Sequence, residues 1–458
     1  MTSTTRMRRL AWACTALGAI SLSAQADDNL RLNGFLTAGV TGSDMKSLPT
    51  CPSTGAFGSM AMSKSCSIVT SAGNPLQYTP TYDHLGNTTN WTNSSILGLQ
   101  AAYTIDSKTS MTAQLVSYGD QNYQVNTVWA YGTYKPTENT ELRLGRQRIP
   151  FYMLSEQIDV GMSYPWARPP LDMYSLPVNQ YDGLSGRWNW QWGDTSGNLN
   201  FLVGDAPTTS NSPYIPLGFN IKNARGVNFN IYQGNFTFHG GAVIGNVNLT
   251  LSDDKTPGQM FYNLNNLLTA VGAPGISDQL ASFYNLGTIY DDGNWLVMSE
   301  LSDLRYGSGS ILQDPLSGYV MVGYHFGQIM PELTVSKTRT NTQGNVNRSM
   351  AVADVSNPAN LAKIAALAPA GQSLGASINS LNQAESSIAN QGMQETTYTL
   401  GLRYDITPKM SAKVEWSHVN GLGGSPDGIN ASGGWGRFSD APVGGGANFY
   451  TFVINAMF

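Results

Sequence analysis

The chain alternates apolar and polar residues in segments of about ten residues, and turn residues separate these segments. In the first of them Leu32 and Leu36 fall on one face, whereas Arg31 and Asn33 fall on the other. Because side chains along a strand point alternately to the two faces of a sheet, this pattern predicts strands with one apolar face. Sixteen such segments follow one another, at 30–41, 94–104, 109–118, 125–135, 139–147, 181–192, 197–205, 221–232, 235–245, 281–290, 294–302, 317–326, 331–339, 396–405, 410–420 and 447–458.

The connections between these segments alternate in length. Those after even-numbered segments are short, such as 105–108 and 233–235, whereas those after odd-numbered segments are long, with 119–124 as the exception. An even number of strands with short turns on one side and long loops on the other is typical of bacterial transmembrane barrels. The pattern predicts an all-β protein, a transmembrane antiparallel β-barrel of about 16 strands over 27–458. A soluble β-sandwich is the alternative, but one core would be unusually large at this length.

The first 26 residues have the composition of a cleaved signal peptide. Three arginines within 1–9 precede an apolar stretch at 10–22, and an A-x-A cleavage site ends at Ala26. A lipoprotein signal ending at Cys14 is the alternative, although almost no apolar residue separates Cys14 from the arginines. We therefore expect an exported mature chain that begins at Asp27.

Charge and hydropathy narrow the class of protein further. Charged residues make up 12% of the chain, against about 25% in ordinary soluble domains. Removal of the three signal-peptide arginines from 25 basic residues leaves 22, against 30 acidic residues, which disfavours nucleic acid as a partner. No run of about 20 apolar residues follows the signal peptide, so no membrane-spanning helix is predicted. Low charge in an exported chain favours a barrel whose surface faces outer-membrane lipid.

Two cysteines remain in the mature chain, Cys51 and Cys66, both in the first long connection. An even pair in an oxidising compartment predicts a disulfide between them. Metal binding is the alternative, but no histidine or carboxylate cluster flanks the pair. We expect neither a metal nor another cofactor.

The third long connection, about 148–180, is the most unusual stretch of the chain. Its sequence, RIPFYMLSEQIDVGMSYPWARPPLDMYSLPVNQ, contains five prolines, which exclude a continuous helix or central strand. A loop of this length is uncommon unless it is functional or disordered, and its aromatic content argues against disorder. We predict that it folds into the lumen of the barrel and constricts a pore.

Charged residues of both signs occur in and beside this loop. Since Leu142 and Leu144 must face lipid, alternation turns Glu141 inward, and the same rule turns Arg403, Glu332, Lys413 and Glu415 inward. A mid-bilayer Arg or Lys on the lipid face would cost about 2–4 kcal/mol. Opposed charges across a constriction create a field that orients dipolar solutes, whereas salt bridges that hold the loop to the wall are the alternative. The predicted constriction residues are Arg143, Arg146, Arg148, Glu156, Asp159, Arg168, Asp172 and Arg187.

The signal peptide, the sixteen segments, the long third loop and the terminal Phe458 together resemble the Gram-negative general porins. The resemblance implies a 16-stranded outer-membrane channel, usually a homotrimer, through which small hydrophilic solutes and ions diffuse. It also implies outer-membrane lipid and lipopolysaccharide as its surroundings. The PEFGG-type motif common in the third loop is absent and 340–395 is longer than usual, so a substrate-preferring channel for organic anions or sugars is an alternative. A barrel adhesin is the alternative from another class.

The sequence offers little sign of enzymatic chemistry. None of the four histidines belongs to an H-E-x-x-H motif, and the glycine-rich stretch 421–436 lacks the lysine of a phosphate-binding loop. Gly183-Leu-Ser-Gly lacks the spacing of a nucleophile elbow. We expect the protein not to be an enzyme, with a barrel hydrolase as the weaker alternative.

Overall fold

The computed structural model describes residues 29–44, 89–92, 94–174, 176, 178–207, 217–251, 278–307, 314–340, 358–367, 394–422 and 445–458. Sixteen strands form a closed antiparallel barrel in which each strand pairs with its neighbours along the chain and the first pairs with the last. The strands are β1 (Leu30–Ser43), β2 (Ile96–Thr104), β3 (Thr109–Tyr118), β4 (Val125–Thr137), β5 (Thr140–Arg148), β6 (Gln180–Trp192), β7 (Thr195–Pro207), β8 (Leu217–Gln233), β9 (Phe236–Leu251), β10 (Gln279–Asp291), β11 (Trp295–Tyr306), β12 (Pro315–Tyr324), β13 (Ile329–Thr340), β14 (Gln394–Thr407), β15 (Met410–Leu422) and β16 (Gly445–Met457).

The predicted fold class is confirmed, and each predicted segment corresponds to one strand. The largest difference is at β9, which continues to Leu251 because the alternation of apolar residues with Asn246 and Asn248 extends beyond the predicted end. The connections after even-numbered strands are short turns, as predicted. Gly193 and Gly234 adopt positive φ angles of 59° and 55° in two of them, a conformation that glycine adopts without steric cost.

The two faces of the barrel wall differ in polarity. Leu32, Leu144 and Leu286 on the outer face are 61%, 68% and 62% exposed. Side chains of the opposite parity are polar or covered, such as Gln114 and Glu300. A continuous exposed apolar face of this kind marks a surface that contacts lipid or another apolar partner. Within the described part of the chain, no helix has the length and apolar character needed to cross a membrane.

The barrel closes at the last residue of the chain. The backbone N–H of Gly34 donates to the carbonyl of Phe458 at 2.8 Å, and the N–H of Phe458 donates to the carbonyl of Gly34 at 3.0 Å. Register pairs then run from Phe35 with Met457 to Ser43 with Phe449. The strand edges of β1 and β16 are therefore paired with each other.

A helix lies in the connection between β13 and β14. Helix α1 (Pro358–Leu367) begins at the proline that the sequence places at the first helical position, where its missing N–H is tolerated. The signal peptide at 1–26 and the predicted disulfide between Cys51 and Cys66 lie outside the described residues.

Candidate constriction site

The segment between β5 and β6, which we call the third loop (149–179), carries half of the buried aromatic residues in the described part of the chain. It contains two short 3₁₀ turns, Ser155–Gln157 and Gly161–Ser163. Its aromatic side chains form one hydrophobic cluster with inner-face residues of β7 to β12, in which the ring centroids of Phe151 and Phe283 lie 4.8 Å apart. The buried aromatic members contributed by the loop are Phe151, Tyr152, Tyr164, Trp166 and Tyr174.

Lys413 of β15 provides the most concentrated contact with the third loop. Its buried ammonium group donates to the backbone carbonyls of Gly161, Tyr164 and Trp166 at 2.5, 2.8 and 2.7 Å. A lysine ammonium has three donors and no acceptor, so these three bonds use its full capacity. Arg403 of β14 adds bonds to the carbonyls of Met162 and Tyr164 at 3.2 and 3.0 Å. The cations of this wall therefore hold loop carbonyls rather than a ligand.

The carboxylates of the same wall accept hydrogen bonds from the loop. Glu415 accepts from the backbone N–H of Ala167. Glu300 of β11 accepts from the N–H of Met153 at 2.7 Å and from the hydroxyl of Tyr174. Burial raises the pKa of Tyr174 well above its usual value, which keeps the phenol protonated as the donor. The inward orientation that alternation predicts for Lys413 and Glu415 thus agrees with their contacts to the loop.

Close backbone approach fixes the loop at one further place. A Cβ atom at Gly161 would lie 2.0 Å from Oδ1 of Asn455 and 2.8 Å from Oγ1 of Thr37, so only glycine fits between the loop and β1 and β16. Trp166 donates its indole N–H to Oγ1 of Thr334 at 2.7 Å. Contacts with β1, β11, β13, β15 and β16 mean that the loop reaches strands far from β5 and β6, where it is attached, around the closed barrel.

Glu156 lies on the side of the third loop opposite these contacts, and it faces strands β5 to β9. Its carboxylate lies 3.2 Å from Nη2 of Arg187 and 3.8 Å from Nη1 of Arg143, and its side chain is 51% exposed. Arg143 also pairs with Glu141 at 2.5 Å and lies 5.1 Å from the ring centroid of Tyr131. Between the loop and this wall is a cavity of about 270 Å³ that these charged residues line. We call it the Glu156 cavity.

The other predicted constriction residues occupy different positions. Arg148 and Asp159 form a buried ion pair that also contacts the hydroxyl of Tyr118. Asp172 is buried and accepts a hydrogen bond from Ser336 of β13. Arg168 lines a smaller hollow beside Glu415.

Arg146 belongs to none of these groups. It forms a two-bond ion pair with Asp182 of β6, with both distances 2.7 Å. Strand alternation places this pair on the face that carries Leu144 and Leu184, both of them exposed. The structure therefore brings Arg143, Glu156 and Arg187 together and leaves Arg146 apart from them.

Sequence reasoning missed a group of amides on the wall opposite Glu156. Two asparagines from β7 and two from β8 line the Glu156 cavity next to His239 of β9. The signal was present, because in NLNFLV and VNFNIY the asparagines alternate with exposed apolar residues and so must point inward. The four are Asn198, Asn200, Asn228 and Asn230. The described residues contain no cluster of histidine, cysteine, aspartate or glutamate that could hold a metal ion.

No protein-family model matches this sequence, and no curated protein matches it either. The structure is similar to that of OprB from Pseudomonas putida, with a TM-score of 0.50 and 9% identity over 98% of this chain and 97% of that chain. OmpF from Salmonella typhi, in complex with daunomycin, and an anion-selective porin from Comamonas acidovorans match with TM-scores of 0.49 and 0.47, each at 10% identity. Each match covers 94% of this chain, and it covers 97% of the OmpF chain and 99% of the anion-selective porin chain. The OprB match confirms the predicted resemblance to outer-membrane porins at the level of the barrel fold.

Proposed function

We propose that this protein is an outer-membrane porin through which small hydrophilic solutes and ions diffuse passively, and that the third loop narrows its channel. The observation that carries the proposal is the two-sided placement of the loop. One side bonds to β11, β13 and β15, whereas the other leaves the Glu156 cavity open in front of β5 to β9. Channel selectivity arises from pore width and lining charge rather than from bond-making, so we propose no enzymatic activity.

The outer face of the wall supports a location in the outer membrane. Its exposed apolar side chains would be costly in water but are favourable against acyl chains, and barrels satisfy every backbone hydrogen bond within the wall. We infer contact with outer-membrane lipid and lipopolysaccharide at this face. A homotrimeric assembly rests on the resemblance to general porins alone, and native mass measurement in detergent tests it directly.

The test of the channel is ion conductance of the purified protein in planar bilayers. The wild type is expected to give discrete conductance steps. Deletion of the eight residues from Glu156 to Ser163 should increase the single-channel conductance and admit larger solutes, because it removes part of the obstruction without removing any strand hydrogen bond. Circular dichroism of the variant controls for barrel formation.

Two outcomes would contradict the proposal. Absence of conductance steps in the wild type would reject the channel itself. A folded deletion variant with wild-type conductance would reject the third loop as the constriction while leaving the channel in place.

A further inference from the structure

The asparagines of the Glu156 cavity form a directed hydrogen-bond network. Arg187 donates its Nε–H to Oδ1 of Asn200 at 2.7 Å. Since a guanidinium group can only donate, this bond fixes which way the Asn200 amide points. Its Nδ2 then donates to Oδ1 of Asn198 at 2.8 Å and to Oδ1 of Asn228 at 2.7 Å. Reversal of the Asn198 or the Asn228 side-chain amide would therefore lose the hydrogen bond from Asn200.

The network continues to His239. Asn230 donates its Nδ2 to Oδ1 of Asn198 at 3.0 Å, and its own Oδ1 lies 2.9 Å from Nδ1 of His239. The oxygen only accepts, so the imidazole carries its proton on Nδ1 and presents Nε2 as an acceptor. This buried Nε2 has no hydrogen-bond partner among the described residues. A buried polar atom left in this way indicates a partner that the protein itself does not supply.

Two asparagines have side-chain N–H donors that the network does not use. It uses only the oxygen of Asn228, whose Nδ2 is available to a solute in the cavity. The Nδ2 of Asn198 makes only a long contact of 3.4 Å with the hydroxyl of Tyr232. The wall thus offers fixed N–H donors, and Glu156 across the cavity offers acceptors.

The charges that line the cavity are balanced. Arg143 and Arg187 are matched by Glu141 and Glu156, and the third lining arginine is paired with an aspartate outside the cavity. A dissolved ion therefore gains little net attraction at this place. A hydroxyl group gains more, because it can accept from an asparagine and donate to Glu156 at the same time.

We propose that this asparagine wall is a binding site for neutral polyhydroxylated solutes, of the sugar and polyol class, as they pass the constriction. The proposal rests on the proposed channel function and adds a solute preference to it. A solute that binds there is already oriented along the wall, so the preference appears as permeation of such solutes that is fast relative to the conductance of ions.

The test measures the swelling rate of proteoliposomes in maltose and divides it by the KCl conductance of the same preparation, because dissolved ions gain little at this wall. In the double variant Asn198→Leu and Asn228→Leu, this ratio of maltose rate to ion conductance should fall roughly three- to tenfold, as expected for the loss of one or two modest hydrogen bonds.

Two further variants make the result decisive. Asn228→Leu alone removes the free donor with a single substitution, so it lowers the ratio even if the double variant does not fold. Gln114→Met removes an inner-wall amide that bonds to Gln100 away from the cavity, and it should leave the ratio unchanged.

Ion conductance of the same preparations separates the two proposals. Normal conductance with an unchanged ratio in Asn228→Leu would overturn the sugar site and leave the channel intact. A ratio that falls equally in Gln114→Met would also overturn it, because the effect would then not belong to this wall. Absence of conductance in the wild type would overturn both.

Discussion

The two sides of the third loop use the same residue types for different purposes. Toward β11 to β16, Lys413, Glu300 and Asp172 are buried, and each bonds to a partner fixed in the loop or the wall. Toward β5 to β9, the half-exposed Glu156 faces Arg187 across a cavity. Burial, rather than the sign or number of the charges, therefore separates the groups that hold the loop from those that face the cavity.

This difference bears on the two interpretations that the sequence left open. Ion pairs and hydrogen bonds that hold the loop involve buried residues, whereas the charged residue that we propose acts on a solute is the exposed Glu156. Arg148 and Asp159 form a buried ion pair, and breaking one partner of such a pair is costly. Glu156 is exposed enough to act on whatever passes it.

The largest effect is expected when the hydrogen bonds between the third loop and the wall from β11 to β16 are removed. Lys413→Met leaves the carbonyls of Gly161, Tyr164 and Trp166 without their donor, at about 1–3 kcal/mol for each unsatisfied buried group. Hydrogen exchange of 161–167, measured by mass spectrometry, should accelerate, and channel current should become larger or noisier. Lys409→Met, in the exposed turn after β14, is the matched control. Wild-type exchange at 161–167 in Lys413→Met would show that this side does not hold the loop.

A smaller effect is expected on the cavity side. Glu156→Gln removes an exposed negative charge and should shift the reversal potential in a KCl gradient toward anions. A change of about fivefold in the permeability ratio corresponds to about 1 kcal/mol between unit charges roughly 4 Å apart in water. Asp172→Asn is the comparison, since this buried carboxylate should affect loop stability more than selectivity. Equal shifts in the two variants would remove the distinction between the sides.

The smallest effect concerns Arg146. Its partly exposed ion pair with Asp182 should contribute at most about 1 kcal/mol, so Arg146→Met should lower the urea midpoint of unfolding only slightly. The conductance and the reversal potential of the Arg146→Met variant should equal those of the wild type. A reversal potential that moves as far as in Glu156→Gln would place Arg146 beside the passage after all.

The barrel could be predicted from the sequence because one face of every strand is apolar. A period of two identifies strands independently of their partners, and closure follows from the even count and the turn lengths. The same period could have identified the asparagines of β7 and β8. This two-residue period also places Arg146 on the outer face, together with Leu144.

The interior of the third loop could not be predicted in this way. Proline and aromatic content indicates an ordered segment but gives no partners, because an irregular backbone has no period to extrapolate. That Lys413 meets three carbonyls of the loop depends on the curvature of the whole wall. The near contact of Gly161 with Asn455 likewise follows from the closed barrel and not from either local sequence.

The bonds of Lys413 also have a consequence for the order of folding. They join positions 247 to 252 residues apart, and contacts so distant in the chain form late because a long loop must first close. The third loop can dock only after β15 is in place, so a nascent barrel passes through a state in which the loop is not yet bonded to the wall. Trp166, buried in the docked loop, provides the probe: in a variant that keeps it as the only tryptophan, the fluorescence change during refolding should lag behind the circular dichroism signal of the strands.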